Sequence, residues 1–139
     1  MKAQIFINLP VENLQKSMSQ YESVGFRNEP NFTDETAACM KLSEEIYVML
    51  LTHDKFKQFT SKAIANSKSN VAVINALAVE SREHVDDMMT KALSAGATEP
   101  TAANDLGFMY QRSFEDFDGH LWEVFFMDMS KMPDDYEQQ

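Results

Sequence analysis

Residues 114–126 read FEDFDGHLWEVFF and predict a tight turn followed by a β-strand. Asp118-Gly119 is a strong turn signal, because glycine adopts the positive φ that a tight hairpin needs. Beyond the turn, successive side chains of an extended strand point to opposite faces, so Leu121, Glu123 and Phe125 are expected to share one face. The other face receives His120, Trp122, Val124 and Phe126.

Glu123 is the residue of this strand that needs an explanation. An ionised carboxylate among apolar neighbours is costly unless a cation, a hydrogen-bond donor or a metal pairs with it. Two interpretations are open. Glu123 lies at the floor of a cavity and contacts a ligand there, or the sheet curves and leaves Glu123 as a half-exposed residue on an ordinary strand face.

Length and charge restrict the class of protein. A chain of 139 residues is long enough to bury its own core, and we expect one domain spanning residues 1–139. The formal net charge of -10 argues against nucleic acid or an anionic membrane as partner and permits a cationic ligand. No apolar run has the length of a membrane helix and no signal peptide is recognisable, so we expect a cytoplasmic protein.

The first half of the chain predicts a strand, a helix and a hairpin. Residues 4–11 alternate as a strand does, Asn13 is a good N-cap, and Gly25 ends the helix that follows. The apolar runs 37–42 and 46–52 are separated by a short polar stretch and predict two strands of a hairpin.

Between the halves, residues 55–65 predict a second helix, and residues 66–70 have the composition of a linker. This linker divides the chain into a first module, 1–65, and a second module, 71–127. Residues 128–139 form an acidic C-terminal tail.

The second half repeats the order of the first. A strand before Val79 is followed by a helix that Ser81 caps and Gly96 ends, and residues 108–114 and 120–127 predict a further hairpin. Each half therefore reads as a strand, a helix and two or three strands, which indicates an internal repeat.

The run Asp118-Gly119-His120-Leu121-Trp122-Glu123 resembles the signature at the last strand of the vicinal oxygen chelate superfamily. This superfamily includes glyoxalase I, extradiol dioxygenases, fosfomycin resistance enzymes and bleomycin resistance proteins. The resemblance extends over residues 5–126. It implies an α+β fold in which two βαβββ modules form a curved, partly open mixed β-sheet cavity. It also implies a homodimer, because modules of this family commonly complete their barrels across two chains.

The resemblance implies four metal-ligand positions, one on the first strand and one on a later strand of each module. In this sequence they correspond to Phe6, Leu50, Ile74 and Glu123, and of these only the glutamate can ligate a metal. We therefore expect no metal cofactor. The alternative is a divalent Zn, Ni, Mn or Fe ion held by a non-standard set of residues.

The predicted cavity is mostly apolar with a few polar groups, a composition that ligand pockets and ordinary cores share. His53 is included because it follows a strand end, where it could overhang the cavity mouth as a base or hydrogen-bond donor. The candidate ligand-binding residues are Phe6, Asn8, Leu50, His53, Ile74, Met109, Gln111 and Glu123. Asn75 is predicted on the opposite, helix-packed face, where its amide needs a hydrogen-bond partner or marks a strand irregularity.

Three functions fit these observations. The first is a metal-free binder of a small, possibly cationic molecule, resembling the bleomycin resistance type. The second is a metal-dependent enzyme resembling lactoylglutathione lyase or an extradiol dioxygenase, with a non-standard metal site. The third is a structural or regulatory dimer with a filled cavity. The sequence assigns no catalytic residue.

Overall fold

The computed structural model describes residues 2–133, so the second half of the predicted acidic tail, residues 134–139, lies outside the described part of the chain. The elements, in chain order, are β1 (Ile5–Val11), α1 (Leu14–Val24), β2 (Arg27–Asn28), β3 (Ala37–Lys41), β4 (Ile46–Thr52), α2 (His53–Phe56), β5 (Ile74–Ala78), α3 (Arg82–Ser94), β6 (Asn104–Asp105), β7 (Met109–Glu115) and β8 (Leu121–Met127). Between residues 2 and 133, no helix is long and apolar enough to cross a membrane.

The strands form two four-stranded sheets with the same internal order. Sheet 1 has the order β1-β4-β3-β2, and sheet 2 has the order β5-β8-β7-β6. Strand β1 pairs in parallel with β4, and β5 pairs in parallel with β8. The other neighbouring strands of each sheet are antiparallel. The predicted α+β fold of two βαβββ modules is confirmed. Among the described residues, no strand of sheet 1 pairs with a strand of sheet 2.

The two long helices begin and end where their caps predict. The Asn13 side chain accepts a hydrogen bond of 3.1 Å from the backbone N–H of Lys16 at the start of α1. The Ser81 hydroxyl accepts one of 3.0 Å from the backbone N–H of His84 at the start of α3. Gly25, with a φ of 129°, follows α1, and its backbone N–H bonds the carbonyls of the last helical turn.

The predicted helix over residues 55–65 is wrong. Helix α2 ends at Phe56, and residues 57–73 form an irregular segment that we call the connector. Within the connector, the Thr60 hydroxyl accepts a hydrogen bond of 3.1 Å from the backbone N–H of Lys62. Such a bond offers the backbone an alternative to the helical ladder.

One continuous core lies on the helix side of both sheets. Helix α1 packs on sheet 1, α3 packs on sheet 2, and the two helices contact each other. The largest fully buried side chains of this core include Trp122, Tyr21, Phe114, Met40 and Leu50. The opposite face of each sheet, which no long helix covers, is called the open face below.

Candidate functional site

Glu123 lies on the open face of sheet 2. The ladder places it between Ala76 of β5 and Ser113 of β7, while Trp122 and Val124 on either side of it point into the core. Its carboxylate is half-buried and has no ion-pair or hydrogen-bond partner among the described residues. A carboxylate in this position is available to a ligand.

Three further candidate residues share this face with Glu123. Ile74 pairs with Leu121, Gln111 pairs with Phe125, and Met109 follows on the same side of β7. The half-buried Met109, Gln111 and Glu123 and the exposed Ile74, at 49% exposure, therefore lie along one surface, as the period-two pattern predicts.

Phe6 and Asn8 lie on the open face of sheet 1. Their ladder partners on β4 are Tyr47 and Met49. The Phe6 and Tyr47 rings stack with centroids 4.4 Å apart and planes 10° from parallel, and Phe6 is 47% exposed. Such a pair presents a flat aromatic surface to solvent. Sequence reasoning missed Tyr47, although it is the one aromatic residue of β4.

The expectation that Leu50 lines the cavity is wrong. Leu50 pairs with Leu9 and Ala38 on the helix side of sheet 1 and is completely buried in the core. The run Ile46–Thr52 is apolar on both faces over much of its length, so hydrophobicity alone does not reveal which residues face the helix. The open-face position next to it belongs to Met49.

His53 lies away from the aromatic pair, at the exposed start of α2. It lines a cavity of about 570 Å³ together with Pro10, Lys57, Asp118 and His120. Glu123 is not among the lining residues of this cavity. His53 is therefore separated from the open-face candidates and lies in the space between the two modules.

A buried polar network joins the modules and was not found from the sequence. The Tyr21 hydroxyl of α1 donates a hydrogen bond of 2.6 Å to the carboxylate of Asp116, and the indole N–H of Trp122 donates one of 3.0 Å to the Tyr21 oxygen. Burial raises the pKa of the Asp116 carboxyl, and burial together with the nearby Asp116 charge raises the pKa of the Tyr21 hydroxyl.

His120 completes the connection between the modules. Its side chain is 8% exposed, and its Nε2 lies 2.7 Å from the carbonyl oxygen of Pro10 in β1. Because a carbonyl only accepts, Nε2 is the donor in this bond. His120 lies on the face opposite Glu123, as predicted. Its side chain is buried.

The residues present do not fit a transition-metal site. Among residues 2–133, no group of three or more His, Cys, Asp or Glu side chains could hold a metal ion. The implied ligand positions on β1 and β5 hold the side chains of Phe6 and Ile74, which have no lone pair to donate.

The fold is that of the vicinal oxygen chelate proteins, the glyoxalase/bleomycin resistance/dioxygenase fold. No family model matches the sequence, and no curated protein matches it. A hypothetical protein SA1046 from S. aureus has 22% identity and a TM-score of 0.75, over 91% of this chain and 94% of that chain. A glyoxalase-related enzyme from Fulvimarina pelagi has 19% identity and a TM-score of 0.76, over 91% and 88% of the two chains. The fosfomycin resistance protein FosX from Mesorhizobium loti has 11% identity and a TM-score of 0.69, over 94% and 97%.

Proposed function

We propose that this protein binds a small molecule against its open faces, around Glu123 and without a metal. The observation that supports this most directly is the Glu123 carboxylate, which has no partner within residues 2–133 and lies on a largely apolar surface. The side chains of residues 2–133 offer no transition-metal site. Solved proteins of the same fold include ones described as glyoxalase/bleomycin resistance proteins, which agrees with a small-molecule role.

The chemistry of the open faces favours a cationic ligand with a flat aromatic group. The stacked Phe6 and Tyr47 rings offer a surface for stacking and for cation–π contact. Glu123 supplies a negative charge, and the net charge of -10 attracts cations to the protein as a whole.

The proposed binding protein is a homodimer. Strands β1 and β5 are sheet edges, and large apolar side chains on them are exposed: Ile5 53%, Phe6 47% and Ile74 49%. Exposed apolar residues along a free strand edge favour association. A second copy that covers these edges would bring the open face of sheet 1 of one chain towards the open face of sheet 2 of its partner.

Thermal unfolding with defined cations tests the proposal. N-methylquinolinium and benzyltrimethylammonium are the probes, and benzoate is the anionic comparison. A probe at one hundred times its Kd should stabilise the native state by about 2.7 kcal/mol. Glu123→Gln should weaken probe binding about tenfold, whereas Glu83→Gln, which removes an exposed charge on α3, should not.

The proposal fails if neither cation stabilises the protein, or if Glu123→Gln and Glu83→Gln behave alike.

The solved glyoxalase-related enzyme of the same fold favours a second candidate, a metal-dependent lyase or dioxygenase with a non-standard metal site. Stoichiometric Zn, Ni, Mn or Fe in protein purified without a chelator, together with glyoxalase or ring-cleaving activity, would select that candidate. Light scattering on the same sample measures whether the chain is a dimer.

A further inference from the structure

A second cavity lies between the modules, and Glu123 does not line it. It has a volume of about 480 Å³ and lies between the edge strand β1, the beginnings of β5 and β8, and the connector. We call it the connector crevice. Most of its walls are apolar, and the larger apolar side chains are Ile7, Leu9, Phe56, Ile64, Val71, Val73 and Leu121. Ligand pockets usually have a volume of about 300–1,000 Å³ and this kind of lining.

Asn75 is the polar group that gives the crevice chemical specificity. It pairs with Trp122 in the ladder and so belongs to the helix-side face of sheet 2, yet it is half-buried and lines the crevice. Its side-chain amide forms no hydrogen bond with any described residue, and it has no fully buried unsatisfied atom. The amide is therefore open to the crevice, with one N–H donor group and one carbonyl acceptor available.

The roof of the crevice is fixed before any ligand binds. The β7–β8 turn approaches the connector so closely that a Cβ at Gly119 would lie 2.6 Å from the Ser67 carbonyl oxygen. The His120 ring, which also lines the crevice, is held by its hydrogen bond to the Pro10 carbonyl. A preformed cavity binds more tightly than one whose walls must be ordered on binding.

The electrostatics of the crevice favour a neutral ligand. Among its described lining residues, Lys62 is the one with a permanent charge, and this side chain is exposed to solvent. The charged groups Glu12, Lys57 and Asp118 line the neighbouring 570 Å³ cavity instead. A charged molecule would lose hydration on entering the apolar crevice without gaining an ion pair.

We propose that the connector crevice is a binding site for a small neutral molecule with an apolar body and a carboxamide or lactam group. The amide of the ligand pairs with the Asn75 amide, donor to acceptor in both directions, while the apolar body packs on Ile7, Leu9 and Ile64. This site does not include Glu123, and Asn75 and Glu123 lie on opposite faces of sheet 2, although Asn8 of the open face of sheet 1 also lines the crevice. It does not depend on the function proposed above.

The probe for the test is benzamide, which combines a carboxamide with an apolar ring. Titration into the ¹⁵N-labelled full-length chain, followed by ¹H–¹⁵N correlation spectra, should shift the Asn75 side-chain NH₂ signals and the backbone signals of Ile64 and Ser67. Benzoate and toluene have the same ring without the amide. Each should bind about tenfold more weakly, because the paired hydrogen bonds are lost.

Variants separate this site from the open face. Asn75→Leu should weaken benzamide binding about tenfold, while Asn31→Leu, at an exposed asparagine remote from the crevice lining, should leave it unchanged. Glu123→Gln should also leave it unchanged. The proposal is overturned if benzamide shifts only open-face signals, if toluene binds as tightly as benzamide, or if Asn75→Leu keeps the wild-type affinity. The toluene comparison uses wild-type protein and so holds even where a variant fails to fold.

Discussion

Substituting Tyr21 by Phe tests whether the polar network between the modules stabilises the protein. The change removes one hydroxyl and keeps the ring, which packs edge-on against Phe26 and Trp122 with centroids 5.3 Å and 6.1 Å away. Two buried groups then lose their partner, the Asp116 carboxylate and the Trp122 indole N–H. Asp116 retains two hydrogen bonds, from the backbone N–H groups of Asp118 and His120, so its charge loses one of its donors but is not isolated.

The expected loss of stability follows from the two broken bonds. A hydrogen bond to a charged group contributes about 1.5–3 kcal/mol, and an unsatisfied buried donor costs about 1–3 kcal/mol. Partial relaxation of the site lowers the sum, so we expect Tyr21→Phe to reduce the free energy of unfolding by about 3 kcal/mol. For a chain of this size that corresponds to a decrease in Tm of about 10 °C.

Urea and thermal denaturation measure this loss, and Tyr47→Phe is the matched control. The Tyr47 hydroxyl has no hydrogen bond among the described residues, so its removal should change the free energy of unfolding by less than about 0.5 kcal/mol. Equal effects of Tyr21→Phe and Tyr47→Phe, or a loss below about 1 kcal/mol for Tyr21→Phe, would refute the reasoning.

The pH dependence gives a second, independent readout of the same variant. Burial raises the pKa of Asp116 above its value in the unfolded chain, so ionised Asp116 lowers stability; this cost decreases as the pH falls below the folded-state pKa and is absent below the unfolded-state pKa. Tyr21→Phe removes a hydrogen bond that lowers this pKa, which raises it further. The difference in stability between Tyr21→Phe and wild type should therefore become smaller at acidic pH.

Three shorter predictions concern other parts of the molecule. Gly119→Ala should destabilise the protein by about 2 kcal/mol more than Gly107→Ala, because both glycines have positive φ, 85° and 83°, but only a Cβ at Gly119 meets the Ser67 backbone; chemical denaturation of the two variants measures this, and equal losses would contradict it. Arg112→Ala should cost about 1 kcal/mol at pH 7, since Arg112 donates two hydrogen bonds to Glu99 and lowers the pKa of that carboxyl; this contribution should be lost as the pH falls through the folded-state pKa, and a pH-independent loss would count against it. Removal of divalent metals with EDTA should leave the Tm of the purified protein unchanged, whereas a decrease would indicate a structural metal.

The repeat and the two long helices could be predicted because their signals are local. Asn13, Ser81 and the glycines that follow each helix act within one turn of the backbone, and their chemistry does not depend on the rest of the chain. Alternation along β8 likewise assigned Glu123 and Trp122 to opposite faces. The two faces of a strand can be assigned from the sequence wherever one face is apolar and the other carries polar residues as well.

The sequence does not predict which residues of β4 face the helix or that His120 is buried, and in both cases the reason is physical. Strand β4 is flanked by β1 and β3 and is apolar on both faces, so the sequence lacks the contrast that would distinguish Leu50 from Met49. His120 is buried by a carbonyl from β1, which is 110 residues away in the sequence. A partner at that separation leaves no trace in local periodicity.

The long-range bonds also determine which surfaces remain for other molecules. Tyr21, Asp116 and His120 join α1 and β1 of the first module to the β7–β8 turn of the second. This fixes the helix sides of the two sheets towards one core and leaves the outer edges of strands β1 and β5 unpaired in the described chain. Loosening this connection, as in Tyr21→Phe, should therefore alter the connector crevice between β1 and β5 more than the shape of either open face. Benzamide binding should be weaker in Tyr21→Phe, while binding of the cationic probes is retained. The reverse pattern would show that the network supports the open faces and not the space between the modules.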